Sequence, residues 1–78
     1  MFSLLLVDDD ADSRLLVSHA LRMGDTFQIV GETADAEGAL SLAASRHPDI
    51  AVMDLLLRGR DGLWALPRLR ETVPETKV

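Results

Sequence analysis

The chain has 78 residues, which is short for a domain, and a core of this size supplies only about 3–5 kcal/mol of stability. Apolar residues make up 47 % of the chain, which excludes a wholly disordered polypeptide. The absence of cysteine excludes a disulfide-stapled secreted domain and favours a cytoplasmic location. The net charge of −5 is opposite in sign to that of a nucleic-acid-binding segment, so no nucleic-acid contact is expected.

The first predicted elements are a strand and a helix. Phe2–Val7 is an apolar run that ends in acids, as is typical of a strand buried on both faces of a parallel sheet. It lacks a basic flank and meets Asp8 too soon to be a signal peptide or a membrane span. Residues 11–23 follow as an amphipathic helix, with Asp10 placed to cap it and Gly24 to end it. Its predicted apolar face comprises Leu16, Val17, Ala20 and Leu21.

The next elements repeat this alternation. Residues 27–30 form a second apolar run and are predicted to be a strand. A second helix follows, with Asp35 as its cap and Pro48 beyond its end. Its apolar face has helical spacing and comprises Ala36, Ala39, Leu40, Ala43 and Ala44. Ile50–Met53 is a third apolar run and again ends in an acid, Asp54.

A third helix is predicted over residues 63–71, after a loop marked by Gly59, Asp61 and Gly62. Pro67 lies within it and removes a backbone hydrogen bond, at a cost of about 3 kcal/mol unless the helix kinks or starts late. Strand and helix alternate along the whole chain. This order predicts a doubly wound α/β fold, with a parallel sheet and right-handed crossovers.

Acidic residues follow two of the predicted strands. Asp8 and Asp9 come directly after the first strand, and Asp54 follows the third. The carboxyl ends of parallel strands meet at one edge of the sheet, where open α/β sheets bind ligands. Carboxylates gathered there repel one another unless a cation neutralises them. Because Mg²⁺ prefers oxygen ligands and also binds phosphoryl oxygens, the pattern predicts a metal site for phosphate chemistry.

Several segments together resemble the receiver domains of two-component response regulators. LLLVDDD is similar to the first strand and acidic pair of that family, and PDIAVMDLLLRGRDG to its phosphorylation segment. IVGETADAEGALSLA resembles the second strand and helix of receivers joined to helix-turn-helix DNA-binding domains. The resemblance implies a flavodoxin-like fold, here incomplete, with three strands in the order 2-1-3 and three helices. Residues 1–78 would be the N-terminal portion of one receiver domain, from its first strand to the start of its fourth.

The resemblance also implies a site and a function. Asp54 would be the phosphoacceptor, and Asp9, Asp54 and the backbone carbonyl of Leu56 would bind Mg²⁺ or Mn²⁺ directly. Asp8 would bind the metal through a water molecule. A sensor histidine kinase or a phosphotransfer protein would donate the phosphoryl group. The chain would be a signalling module, with at most slow autodephosphorylation, and not an enzyme, and an output domain would belong to the parent chain.

The sequence departs from the family in its loop and its length. Leu57 and Arg58 stand where the family usually has Met-Pro. ETVPETKV resembles the approach to a fourth strand, so the family's switch Ser or Thr, its Lys and its final helix have no counterpart among the 78 residues. Ile50–Met53 would then be an unpaired edge strand, which favours self-association.

Two other functions fit parts of the sequence. A phosphatase of the haloacid dehalogenase type also carries an Asp nucleophile after its first strand. Its motif would place Thr or Val at the position of Asp12, so the match is poor. A phosphorylation-independent interaction scaffold would keep the acids without using them. Phosphate on Asp54 would indicate the signalling module, and phosphate on Asp8 would indicate the phosphatase.

Overall fold

The computed structural model describes residues 1–54, 57 and 61–78, and strands and helices alternate along this part of the chain. Their order is β1 (Phe2–Val7), α1 (Ala11–Arg22), β2 (Phe27–Thr33), α2 (Ala36–Arg46), β3 (Ile50–Met53) and α3 (Gly62–Thr72). The bounds predicted for the first and third strands are confirmed. Among the helices described here, none has the length and apolarity to cross a membrane.

Each of these helices begins at an aspartate whose side chain caps the first turn. The capping bonds run from the amides of Asp12, Gly38 and Trp64 to the side chains of Asp10, Asp35 and Asp61, over 3.1, 2.6 and 3.1 Å. A side-chain acceptor at this position satisfies an amide that has no partner within the helix. The caps predicted at Asp10 and Asp35 are confirmed.

The three strands form a parallel sheet in the order β2-β1-β3, as predicted. The second strand is longer than expected and ends at Thr33. Its register against β1 shifts between Leu4 and Leu5, which leaves Val30 outside the pairing. The predicted end at residue 30 is wrong because β1 continues to offer backbone partners as far as Val7, which lies opposite Thr33.

The main core lies between one face of the sheet and the helices α2 and α3. β1 contributes alternate residues to it, because successive side chains of a strand point to opposite faces. The buried members are Leu5, Val7, Ala36, Ala39, Ala43, Ala51, Leu57, Ala65, Leu69 and Val73. The small side chains of α2 let that helix lie close to the sheet.

The opposite face of the sheet is covered by α1. The sequence predicted an inward face comprising Leu16, Val17, Ala20 and Leu21. That orientation is wrong, because the buried residue of the helix is Ser18 and Leu16 is 72 % exposed. Arg14 and Leu21 are half-buried beside Ser18. The helix packs over β1 and β2, and Arg22 near its end forms an ion pair of 3.1 Å with Glu32 of β2.

The third helix contains Pro67 and starts at Gly62, one residue earlier than predicted. The late start considered for this helix therefore does not occur. Pro67 is exposed, whereas the buried residues Ala65 and Leu69 lie on another face of the helix. Proline has no N–H, so one carbonyl of the preceding turn loses its helical partner. Because Pro67 is on the exposed side of the helix, water can bond that carbonyl instead.

The segment after α3 packs against the edge of β3. Lys77 forms a parallel bridge with Ile50, through bonds from Ala51 N–H to the Lys77 carbonyl (2.7 Å) and from Lys77 N–H to the Asp49 carbonyl (2.9 Å). The expectation of a wholly unpaired edge is therefore wrong for the first half of β3. Val52, further along the strand, is 43 % exposed.

Two further contacts hold this segment to the turn before β3. The buried Thr76 donates its hydroxyl to the Pro48 carbonyl over 2.6 Å. The Glu75 carboxylate lies 3.1 Å from Nδ1 of His47. The pKa of Glu75 is held below its ordinary value, first by backbone hydrogen bonding and then by His47. The ionised Glu75 therefore stabilises the fold at neutral pH. This stabilisation is lost as the pH falls through the lowered pKa of Glu75. The pair is exposed, so its contribution is small.

The start of α2 requires glycine at position 38. A Cβ built there would overlap Thr33 Oγ1 and lie 2.8 Å from Asp35 Oδ1, the cap acceptor. We predict that Gly38→Ala lowers the free energy of unfolding by about 1–3 kcal/mol, because the crowding outweighs the better helix propensity of alanine. Urea melts of the complete domain would measure it. Gly24→Ala is the control, since its Cβ would meet nothing closer than the Leu21 carbonyl at 3.9 Å. Equal or greater stability of Gly38→Ala would contradict the prediction.

The open half of the β3 edge carries a second prediction. We expect residues 1–78 in isolation to associate through this edge and not to behave as a well-folded monomer, because an exposed apolar strand templates pairing between chains. Sedimentation and thermal melting at micromolar concentration test this. Val52→Lys should reduce association, and Leu16→Lys, on the exposed side of α1, should leave it unchanged. A cooperative melt from a species of monomer mass would refute the expectation.

Candidate functional site

The acids predicted to form the site leave the sheet side by side. β1 and β3 pair in register up to Val7 and Met53, and Asp8 and Asp54 follow directly. Asp54 N–H donates to the Val7 carbonyl over 3.0 Å, which fixes the chain as it leaves β3. Asp8 N–H donates to the Thr33 carbonyl of β2 over 3.1 Å, which fixes the chain as it leaves β1. The sheet therefore positions the backbone of both acidic segments.

The carboxylates of Asp8, Asp9 and Asp54 meet at this edge. One oxygen from each can be chosen so that all three lie within 4.8 Å of one another. Asp8 and Asp9 are half-buried and Asp54 is exposed. Opposite ligands of an octahedral Mg²⁺ lie about 4.2 Å apart, twice the bond length of about 2.1 Å. Neighbouring ligands of such an ion lie about 3.0 Å apart. Separations of up to 4.8 Å are therefore of the size expected where three carboxylates surround a hard divalent cation directly or through water.

The loop from β1 to α1 gives its three consecutive aspartates different surroundings. Asp8 Oδ1 accepts from Asp10 N–H over 3.0 Å, so one oxygen of that carboxylate closes the turn. Asp10 points to α1 and caps it, as predicted. Asp9 lies between them and belongs to the cluster. The aspartates in this loop thus divide into a cap and two members of the cluster.

Arg14 is the residue at this edge that the sequence analysis did not single out. It lies in the first turns of α1, is half-buried, and donates from Nη1 to the backbone carbonyl of Asp8. Its backbone N–H also bonds the Asp10 carbonyl, over 2.9 Å. In the sequence, Arg14 is a cation of α1 that lies outside the predicted apolar face of the helix.

Part of the predicted site lies outside the described residues. This applies to the backbone carbonyl of Leu56, the third predicted direct metal ligand. The loop positions Arg58 and Gly59 also lie outside the described residues. Of the neighbouring positions that are described, Leu57 is buried in the main core and Asp61 caps α3.

Comparison with known proteins identifies the family. The family model for the response regulator receiver domain matches residues 4–78. The chain belongs to this family. Receiver domains of two-component systems have the flavodoxin-like fold and typically bind Mg²⁺ in an acidic pocket, which agrees with the sheet order and the carboxylate cluster of this chain.

Named relatives support the assignment. The receiver domain is 34 % identical over 74 residues to response regulator protein VraR of Staphylococcus aureus, covering 95 % of this chain and 35 % of that protein. It is also 34 % identical over 74 residues to protein-glutamate methylesterase/protein-glutamine glutaminase 4 of Geobacter metallireducens, covering 95 % of this chain and 21 % of that protein. A LuxR-family two-component response regulator from Aurantimonas sp. has a solved structure that aligns with a TM-score of 0.90 and 32 % identity, over 97 % of this chain and 54 % of that one.

These relatives are longer than the receiver domain described here. It spans about a third or less of the two curated proteins and about half of the solved chain. The methylesterase and glutaminase activities named for the Geobacter relative are stated of that longer protein.

The carboxylate cluster leads to a prediction about Mg²⁺ affinity. We expect Asp9→Asn and Asp54→Asn each to weaken Mg²⁺ binding by at least about 10-fold, because Mg²⁺ sheds water reluctantly and needs its few protein oxygens. Isothermal calorimetry on the complete domain measures the Mg²⁺ affinity of each variant. Asp12→Asn is the matched control, since it removes the same charge from the first turn of α1 without touching the cluster. If both cluster variants bind as the wild type does, the metal site is wrongly assigned.

Proposed function

We propose that this receiver domain takes a phosphoryl group onto Asp54 from a phosphohistidine of a sensor histidine kinase or phosphotransfer protein. The observation that carries the proposal is the gathering of Asp8, Asp9 and Asp54 within 4.8 Å at the carboxyl edge of the sheet. Asp54 is exposed, so a phosphohistidine of another protein can approach it. Family membership supports the same role.

The transfer uses Asp54 as a nucleophile. A carboxylate oxygen of Asp54 forms a bond to phosphorus as the bond from phosphorus to the histidine nitrogen breaks, and the imidazole leaves with that electron pair. The product is an acyl phosphate on Asp54. No general base is needed, because a carboxylate carries no proton at neutral pH and phosphoryl transfer depends mainly on positioning and charge stabilisation.

We assign Asp9, Asp54 and the Leu56 carbonyl as direct ligands of Mg²⁺ or Mn²⁺, and Asp8 as a ligand through water. The bond from Asp10 N–H to Asp8 Oδ1 supports the indirect role of Asp8, because one of its oxygens is already used. When bound, the ion offsets negative charge on the phosphoryl oxygens. The protein residues supply the remaining requirement, which is a fixed position for the accepting carboxylate.

The wider assignments follow from this role. We infer that residues 1–78 are the N-terminal portion of one receiver domain, and the bridge from Ile50 to Lys77 supports a fourth strand that begins there. We place the domain in the cytoplasm, with an output domain in the parent chain. It is a signalling module with slow autodephosphorylation, and it does not turn over a free substrate.

A fourth prediction tests the acceptor. In the complete domain, acetyl phosphate with Mg²⁺ should label Asp54 alone, as an acyl phosphate that is stable in acid and labile in base, and Asp54→Asn should abolish the label. Borohydride trapping followed by mass spectrometry locates the group. Asp12→Asn is expected to retain labelling, because it leaves the cluster intact.

Other labelling outcomes would contradict the mechanism. A label on Asp8 would favour the phosphatase hypothesis, and a label on a histidine would show a different acceptor. A complete domain that binds Mg²⁺ but takes no phosphoryl group from acetyl phosphate or from a phosphohistidine donor would favour the interaction scaffold.

A further inference from the structure

Arg14 is tied to the loop that carries two of the clustered acids. Its Nη1 donates to the backbone carbonyl of Asp8, six residues earlier in the chain. The other cation of α1, Arg22, pairs instead with a side chain, that of Glu32, and is exposed. Arg14 is half-buried at the side of the helix that faces the sheet. Its position is therefore set by the packing of α1 as well as by its own charge.

We propose that Arg14 is a positioning residue of the phosphoryl site, holding the peptide between Asp8 and Asp9 in the orientation that metal binding requires. This inference rests on the proposed function, because it concerns the same site. The carbonyl oxygen of Asp8 and the amide nitrogen of Asp9 belong to one planar peptide unit. Fixing that carbonyl therefore fixes the direction in which the chain enters Asp9.

The hydrogen bonds of Asp8 act on different groups of the residue. Its N–H donates to the Thr33 carbonyl (3.1 Å), and its Oδ1 accepts from Asp10 N–H (3.0 Å). The bond from Arg14 acts on the Asp8 carbonyl itself. It uses a main-chain acceptor, so it places a cation at the site without occupying a carboxylate oxygen of Asp8.

Arginine suits this task better than lysine. A guanidinium is planar, always charged and presents its donors in a rigid fork, whereas the ammonium of lysine is a point charge on a flexible stem. The cation acts in two opposing ways on a bound metal ion: it repels the ion, and it orders the ligands that bind it. If ordering dominates, as we infer, removal of Arg14 weakens metal binding. If repulsion dominates, removal strengthens it.

Calorimetric titration of the complete domain with Mg²⁺ distinguishes these cases. Arg14→Met should weaken Mg²⁺ binding about 10-fold, the size of effect seen when a partner of a metal ligand is lost. Arg14→Lys keeps the charge and should still weaken binding, by about 3-fold, because its donor is less constrained. Arg22→Met is the matched control and should bind Mg²⁺ as the wild type does, since Arg22 bonds Glu32 and not the loop.

Amide hydrogen exchange gives a readout that needs no metal. The amides of Asp9 and Asp10 should exchange about 10-fold faster in Arg14→Met than in the wild type, and Arg22→Met should leave them unchanged. If Arg14→Met does not fold, Arg14→Lys carries the test through both measurements. The inference is overturned if Arg14→Met, or Arg14→Lys where Arg14→Met does not fold, binds Mg²⁺ as tightly as the wild type or more tightly.

The outcome for Arg14 is separable from that of the proposed function. If Asp9→Asn and Asp54→Asn lose Mg²⁺ binding while both Arg14 variants retain it, the metal site stands and the role of Arg14 is refuted. If the two Asp variants bind Mg²⁺ normally, the metal assignment itself fails, whatever the Arg14 variants show.

Discussion

The parallel pairing of β1 with β3 is the interaction on which the rest of the structure depends. It places Val7 opposite Met53, so the residues that follow each strand emerge at one edge. Two unit charges about 4.8 Å apart repel by roughly 1 kcal/mol in water. The sheet must hold Asp8 and Asp54 together against this repulsion. Burial of Leu5, Val7 and Ala51 in the main core supplies the opposing stabilisation.

Acidic residues of one type take different roles because their backbone surroundings differ. In the first loop, Asp10 satisfies a free amide of α1, whereas Asp8 and Asp9 turn towards the edge of the sheet. Asp35 and Asp61 cap α2 and α3 in the same way as Asp10 caps α1. An aspartate at the N-terminus of a helix is stabilised by its capping bond and by the helix dipole, so it needs no cation. Asp8, Asp9 and Asp54 instead lie together at the edge of the sheet, where we propose that they bind a cation.

The two faces of the sheet are covered unequally. On one face α2 and α3 bury a continuous apolar cluster, and on the other α1 buries Ser18 while Leu15 and Leu16 are 67 % and 72 % exposed. The position of α1 over β1 and β2 also brings Arg14 to the Asp8 carbonyl. The packing that leaves Leu15 and Leu16 exposed thus also places the Arg14 guanidinium beside the loop that carries Asp8 and Asp9.

Local features of the sequence determined the elements and their caps. β1 and β3 have the predicted bounds, since a short apolar run closed by an acid is readable within a few residues, and Asp10 and Asp35 act on amides two or three positions away. The convergence of the acids was also predictable, because parallel strands of an alternating α/β chain share a carboxyl edge.

Tertiary structure decided the features that depend on residues distant in sequence. The end of β2 at Thr33 depends on the length of β1. Which face of α1 is buried depends on the strands that the helix covers. Lys77 reaches Ile50, and Arg14 reaches the Asp8 carbonyl, only after the sheet and α1 have packed. Hydrophobic periodicity shows that a helix has an apolar side, but the rotation of that helix is set by the surface it covers. For this reason the sequence predicted which acids come together, and the fold revealed the contact of Arg14 with the Asp8 carbonyl.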